Sequence, residues 1–313
     1  MLNKKAYLFS VTFLIFFNSC SMYNLVNKHV YHILTKNNLV YRTAQLGNYS
    51  ITYWDSESEK PVLVLLHGFG ASTEFQWYKQ VKELSVNYRL ILPNLLYFGE
   101  SKAVTPKYSI GDQVMAMQAL LDKLSIQSFN LCGVSYGGVV AAELALKNKD
   151  KVQKLILVDS PVKYFNDDDI KSACDKFKVS DLINLLCPEN YKGLKPLLAI
   201  AYAKPPYAPT FILKDMFDNI YNKQVEDKKG LLREVELEKE FYSNRNYNFN
   251  FPVLLVWGEE DKLIPSRIGK QLNEHIGSNS KLVIIPNAAH MPALEQAKVF
   301  NKTILDFLLK GNQ

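Results

Sequence analysis

Phe129-Asn130-Leu131-Cys132-Gly133-Val134-Ser135-Tyr136-Gly137-Gly138 is the stretch on which the reading of this chain turns. The run from Ser128 to Cys132 has the make-up of a short buried strand, and Gly138 to Lys147 that of a helix. Between them lies G-x-S-x-G. The glycines permit a strained strand-to-helix turn and a close backbone approach, which holds the Ser135 hydroxyl out where a carbonyl carbon can meet it. The pattern alone is weak. Its placement between a strand and a helix is what predicts a nucleophile elbow, and it weighs against a glycine-rich turn whose serine merely caps the helix.

Outward from this point, short apolar runs alternate with helical periodicity. Val62–Leu66, Leu90–Leu92, Leu155–Val158, Val253–Trp257 and Leu282–Ile285 are continuous runs rich in Leu, Val and Ile. Such runs predict strands buried on both faces of a parallel sheet. Helical spacing appears near Glu74–Leu84, Ile110–Leu124, Ser266–His275 and Leu294–Leu309. The fold class is therefore α/β, a doubly wound and mostly parallel sheet, with leading strands at Thr43–Gln45 and Ser50–Tyr53 that need not be parallel. The alternation breaks once. Residues 161–251 show no comparable strand run and are too long for a simple loop, which predicts a mostly helical insertion.

With 313 residues and 48% hydrophobic content, a core forms without disulfides or a structural metal. The net charge of +6 comes from 32 Lys and only 5 Arg against 31 acids, scattered as singles and pairs. Nucleic-acid sites favour clustered basic residues and the Arg fork, so no nucleic-acid partner is expected. Cys20, Cys132, Cys174 and Cys187 form no CxxC and no Cys/His ligand spacing, so no metal is expected. A Cys174–Cys187 bridge stays open, with free buried thiols the preferred state.

A serine nucleophile needs a base, and the base an orienting acid. Of the five histidines, His29 and His32 precede the α/β region and His275 sits in a helical pattern. His290, in the loop after the last strand, is the candidate base. His67, in His67-Gly68-Phe69-Gly70, is placed beside the site as support and pocket wall. For the acid, Asp261 follows the penultimate strand and Asp159 is its rival at the end of Leu155–Val158. The order Ser135, Asp261, His290 is that of α/β-hydrolases and favours Asp261. Backbone N–H groups of Phe69 and Tyr136 are the candidate oxyanion donors.

From about Leu39 to Leu309 the chain resembles an α/β-hydrolase, and more narrowly the bacterial lipases and esterases called family V. The residues carrying this are His67-Gly68-Phe69-Gly70, the run Leu92-Pro93-Asn94-Leu95-Leu96-Tyr97-Phe98-Gly99-Glu100-Ser101, the elbow, Lys204-Pro205-Pro206-Tyr207, and the Asp261 and His290 loops. Three departures stand out: Asn94 where the family has Asp, and Tyr97 and Ala289 where it has Gly. Tyr97 is expected to crowd the loop beside the site.

The resemblance implies a carboxylic ester hydrolase acting on a small-molecule or lipid ester without a cofactor. Tyr202 and Tyr207 of the cap, together with Met291 beside His290, would line the substrate pocket, and the cap would set acyl preference. C–C bond hydrolysis of diketone-type substrates is the alternative enzyme reading, and a non-catalytic ligand-binding member of the fold is the alternative of another class.

The first twenty residues read as an address. Lys4 and Lys5 precede an apolar run from Ala6 to Phe17, too short for the roughly 20 residues a membrane span needs. Phe17-Asn18-Ser19-Cys20-Ser21 resembles a bacterial lipobox, with Phe17 and Asn18 departing from the usual residues. That resemblance implies lipidation at Cys20 and anchoring to a bacterial membrane. Ser21 favours the outer membrane; an unused lipobox would leave the protein secreted or periplasmic. The expected division is residues 1–19 as signal peptide, 20–38 as anchor or linker, 39–160 with 252–313 as α/β core, and 161–251 as helical cap.

Overall fold

A computed structural model describes residues 21–70 and 72–310; Cys20 and the expected signal segment lie outside them. The chain opens with α1 (Met22–Lys36), β1 (Val40–Leu46), β2 (Tyr49–Asp55), β3 (Val62–Leu66), α2 (Thr73–Leu84) and β4 (Arg89–Pro93). A two-residue β5 (Lys102–Ala103), α3 (Ile110–Lys123), β6 (Phe129–Val134), α4 (Tyr136–Lys147) and β7 (Val152–Val158) follow. Residues 159–252 hold helices α5 (Asp167–Phe177), α6 (Leu182–Leu186), α7 (Leu194–Ala201), α8 (Thr210–Met216) and α9 (Val225–Asn244), and no strand among the described residues. The chain then returns to the sheet through β8 (Val253–Gly258), α10 (Ser266–Ile276), β9 (Ser280–Ile285), α11 (Pro292–Glu295) and α12 (Ala297–Leu309).

The sheet order is β1-β2-β4-β3-β6-β7-β8-β9, with β5 on β2. From β4 to β9 all neighbours are parallel, while β1, β2 and β5 pair antiparallel. Both faces are buried, which is why these strands read as unbroken apolar runs. Val64 and Leu66 pack with α3 and α4, while Leu63 and Leu65 face α1, α2 and α12. The strand order reverses between β3 and β6. In open α/β sheets the crevice beyond the carboxyl ends of such a switch point receives the ligand. Here that crevice is walled by Phe69 and Gly70 on one side and by Ser135 on the other.

Residues 22–36 are not a free linker. Their apolar spacing makes a helix whose Val30 and Leu34 are buried, each worth about 1.5–3 kcal/mol. Tyr31 meets Trp54 edge-on at 4.8 Å. Ser21 Oγ accepts from the Asn24 N–H at 3.2 Å and donates to Asp215 at 2.7 Å, while the Tyr23 N–H donates to the same carboxylate at 2.6 Å. The start of α1 is thus clamped to the end of α8. Among the described residues no helix is long and apolar enough to cross a membrane.

The expected helix 294–309 is interrupted at Gln296, which leaves helical geometry (φ −120, ψ 47). Glu295 stands just before the break. Its carboxylate accepts the Ala289 N–H and the Ala203 N–H, both at 2.7 Å, drawing the end of α11 toward the His290 loop and the segment after α7.

Candidate active site

Ser135 ends β6 with φ 50 and ψ −121, a region rarely adopted by side-chain-bearing residues and costing about 1–3 kcal/mol. Its surroundings enforce it. The Ser135 N–H donates to Val158 O at 2.8 Å, and Ser160 Oγ donates to Ser135 O at 2.7 Å. The turn is also too tight for side chains: a Cβ on Gly137 would stand 2.2 Å from His67 O. The result is a serine at the amino end of α4, which begins at Tyr136, two residues before the expected start. The first amides of a helix have no intrahelical acceptor, which leaves the Tyr136 N–H available beside the serine.

The His290 loop leaves the end of β9 and returns across the crevice. His290 Nε2 stands 2.9 Å from Ser135 Oγ, and Nδ1 stands 2.7 Å from Asp261 Oδ2. Asp261 Oδ1 accepts the Leu263 and Ile264 N–H groups at 2.8 and 2.9 Å. With the Nδ1 proton directed at Asp261, Nε2 is the lone pair that faces the serine hydroxyl. All three residues are buried, yet Ser135 and His290 reach the cavity. The rival acid, Asp159, faces Gly258 instead, accepting its N–H at 2.8 Å.

Opposite the elbow, the loop after β3 backs onto Ser135: a Cβ on Gly68 would lie 3.4 Å from Ser135 Cβ. Phe69, next in line, packs edge-on against Tyr136 at 6.1 Å and Phe98 at 5.4 Å. His67 is wholly buried and lines neither cavity that reaches Ser135, so it stands behind the pocket wall rather than in it as expected. Its Nε2 accepts the Leu95 N–H at 3.0 Å and its Nδ1 donates to Gly68 O at 2.7 Å, so the ring staples this loop to the one after β4. Burial pushes the imidazole down to about 4 and keeps it neutral. Tyr97 holds φ 70, a backbone suited to glycine. Its ring lies against Tyr108, its hydroxyl accepts the Lys107 N–H and donates to Lys107 O, and it does not crowd the crevice.

Two apolar cavities meet at Ser135. The larger, about 300 Å³, runs past His290, Met291, Tyr202, Leu198, Tyr221 and α1 residues Val26 and Val30. The smaller, about 110 Å³, runs under α9 past Tyr136, Val139, Val162, Leu232 and Val235. Tyr202 and Met291 therefore line a cavity as expected from sequence. Tyr207 does not: it is 92% exposed in the proline-rich turn before α8. Burial pushes the Tyr202 phenol up to about 12, so this wall is uncharged.

Ligand atoms of Asp159, Asp261 and His290 lie within 4.8 Å of one another, a spacing that suits a cation. Both Asp261 oxygens already accept hydrogen bonds, however, and His290 Nδ1 is turned to Asp261, so an ion would have to displace these contacts. Cys132, Cys174 and Cys187 are buried free thiols, with no bridge between the last two.

A family model described as the alpha/beta hydrolase fold matches residues 61–297. The chain belongs to this family. Relatives of this α/β-hydrolase include the acetyltransferase component of an acetoin cleaving system from Pseudomonas putida, 27% identical over 79% of the chain. The chain spans only 63% of that relative's length. A 2-hydroxy-6-oxononadienedioate/2-hydroxy-6-oxononatrienedioate hydrolase of Paraburkholderia phymatum is 26% identical over 82% of the chain and 90% of the relative. Lipase 3 of a Moraxella species is 25% identical over 78% and 76%. A solved structure from Acinetobacter baumannii, of a protein thought to be a lipase, superposes with a TM-score of 0.81 at 23% identity, covering 92% of this chain and 97% of the other. At that identity the likeness concerns the fold.

Sequence reading missed Ser160, Glu295 and Gly258. A Cβ on Gly258 would stand 1.9 Å from Ala289 O, so the end of β8 presses directly on the residue before His290. No local pattern announces such contacts, because each joins segments distant in sequence.

Proposed function

We propose that this α/β-hydrolase cleaves carboxylic esters, with lipid acyl esters as the favoured substrates. The observation that carries the reading is the serine–imidazole–carboxylate relay, 2.9 and 2.7 Å long, opening into an apolar cavity. Ser135 Oγ attacks the ester carbonyl as His290 Nε2 takes its proton. Asp261 holds the imidazole and stabilises its positive charge. The Phe69 and Tyr136 N–H groups receive the developing oxyanion, an effect on the order of 3 kcal/mol per donor. His290 then protonates the leaving alcohol, and water, activated by the same imidazole, releases the acid.

The test is a p-nitrophenyl ester series from acetate to palmitate. Each methylene taken into an apolar cavity is worth about 0.8 kcal/mol, or roughly fourfold in kcat/KM. Medium chains are expected to outperform acetate, and Tyr202→Ala to change the profile. A flat series from acetate to octanoate, unmoved by that substitution, would remove the cap from substrate selection. C–C hydrolysis is supported by relatives such as the Paraburkholderia enzyme, whose substrates are dicarboxylates. Against it, among the described residues no Arg or Lys lines the larger cavity to receive a carboxylate, and Lys239 on the smaller one already pairs with Asp167 and Glu236. A non-catalytic role predicts no labelling by a fluorophosphonate.

Gly258→Ala should damage both stability and rate. Overpacking of this kind costs about 1–3 kcal/mol. A shift of His290 by about 1 Å costs on the order of 10² in rate. A thermal melt and ester turnover on one sample check both effects; wild-type turnover would mean that this contact does not position the loop.

The reading extends to location: export, lipidation at Cys20, and anchoring to the outer membrane. Several acyl chains hold a protein stably where one is marginal. Metabolic palmitate labelling should vanish in Cys20→Ala; equal labelling of both proteins would refute the anchor.

A further inference from the structure

Asp159 ends β7 with φ 43 and no exposed surface. One of its oxygens accepts the Gly258 N–H, and the other has no partner among the described residues. Yet this carboxyl lies within 4.8 Å of both an Asp261 oxygen and a His290 nitrogen. Two carboxylates so close in a dry pocket do not both stay ionised; one of them keeps a proton.

The donors around each carboxyl decide which one keeps the proton. Asp261 accepts three hydrogen bonds, from the Leu263 and Ile264 amides and from His290. Asp159 accepts one. Among the described residues no Lys or Arg bonds to either carboxyl to offset this. The ammonium of Lys262, adjacent to Asp261 in sequence, turns away and donates to Ala199 and Tyr202 carbonyls. Glu295, from α11, adds a further negative charge on the same side. Burial first, and the charge of Asp261 second, hold Asp159 well above the usual carboxylate range, with the Gly258 N–H opposing them.

We infer that Asp159 is a neutral carboxylic acid whose O–H donates to the Asp261 carboxylate, making it a positioning residue that steadies the oxygen facing His290. The proton gives the otherwise unpartnered oxygen of Asp159 its hydrogen bond. It also leaves a single negative charge beneath the imidazole rather than two. The inference rests on the relay read above, but its first test does not require turnover.

That test is infrared difference spectroscopy of wild type against Asp159→Asn at neutral pH. The carbonyl stretch of a buried protonated carboxyl is expected in wild type and lost in the variant; wild type without that band overturns the proposal. The second test is the pH profile of kcat/KM on a turned-over ester, whose acidic limb reports His290. Asparagine keeps an N–H donor and has no charge to lose, so the limb should stay in place and turnover should remain near wild type. Had Asp159 been ionised, its removal would carry the limb down by about 2.5 pH units at an effective dielectric of about 20, which would overturn the proposal. Asp159→Leu cannot donate. It is expected to lower kcat with KM little changed, and a folded Leu variant with wild-type kcat would also overturn the assignment. Should the Leu variant fail to fold, the Asn variant decides. Failure of the ester-hydrolase reading shows separately, as absence of turnover by wild type on every ester while the infrared band is still there to be measured.

Discussion

Ser135→Ala is expected to lose about 10⁶ in kcat on p-nitrophenyl esters and all labelling by a fluorophosphonate, while the protein stays folded. The loss is large because the serine is the atom that attacks. What remains is the binding and oxyanion contribution, which acts on water as a poorer nucleophile. Stability should hold, because among the described residues the Ser135 side chain bonds only to His290. The backbone bonds that enforce the strained turn, to Val158 and from Ser160, belong to the main chain and survive the substitution. Alanine meets the same positive φ as serine, so little strain is added. Turnover within about tenfold of wild type would sink the assignment of Ser135 as nucleophile, whatever else the crevice contains.

That a single serine can be singled out in this way reflects how much of the crevice is written locally. The strands around it are buried on both faces, so their signal is an unbroken apolar run, readable without knowing what covers them. The elbow is legible for a related reason. Its glycines are demanded by contacts between neighbouring segments, such as Gly137 against His67 O, and a tight turn between strand and helix leaves few other residues possible. The His290 and Asp261 positions follow from chain order once the strands are placed.

What stayed hidden depends on partners far along the chain. Glu295 reaches Ala203 across 92 positions, and nothing near either residue marks the pair. Beside this contact the last helix breaks at Gln296, where spacing alone runs on. Nothing near the start of α1 marks Asp215, which clamps it from 192 positions beyond Tyr23. Tyr207 shows the converse limit. An aromatic residue in a proline-rich turn has no periodicity to say which way it points, and here it points to water. Tyr97 occupies a glycine-like conformation, yet its hydroxyl finds the Lys107 backbone and its bulk stays out of the crevice.

Asp261→Asn tests the other end of the relay and is expected to lower kcat by on the order of 10⁴, less than loss of the nucleophile. The amide preserves the shape of the side chain, so the backbone bonds from Leu263 and Ile264 can be kept by its carbonyl oxygen. Its NH₂ group then faces His290 Nδ1, which must accept rather than donate. That places the imidazole proton on Nε2, toward Ser135, and removes the lone pair that activates the hydroxyl. The defect should therefore fall on kcat, with binding of a short ester little altered. The decisive comparison is with Asp159→Asn on the same substrate. Asp159 bonds the Gly258 amide rather than the imidazole, so its amide variant should remain far more active. If instead Asp159→Asn were the more damaging of the two, the acid of the relay would be at the end of β7, and Asp261 would be reduced to shaping its own loop.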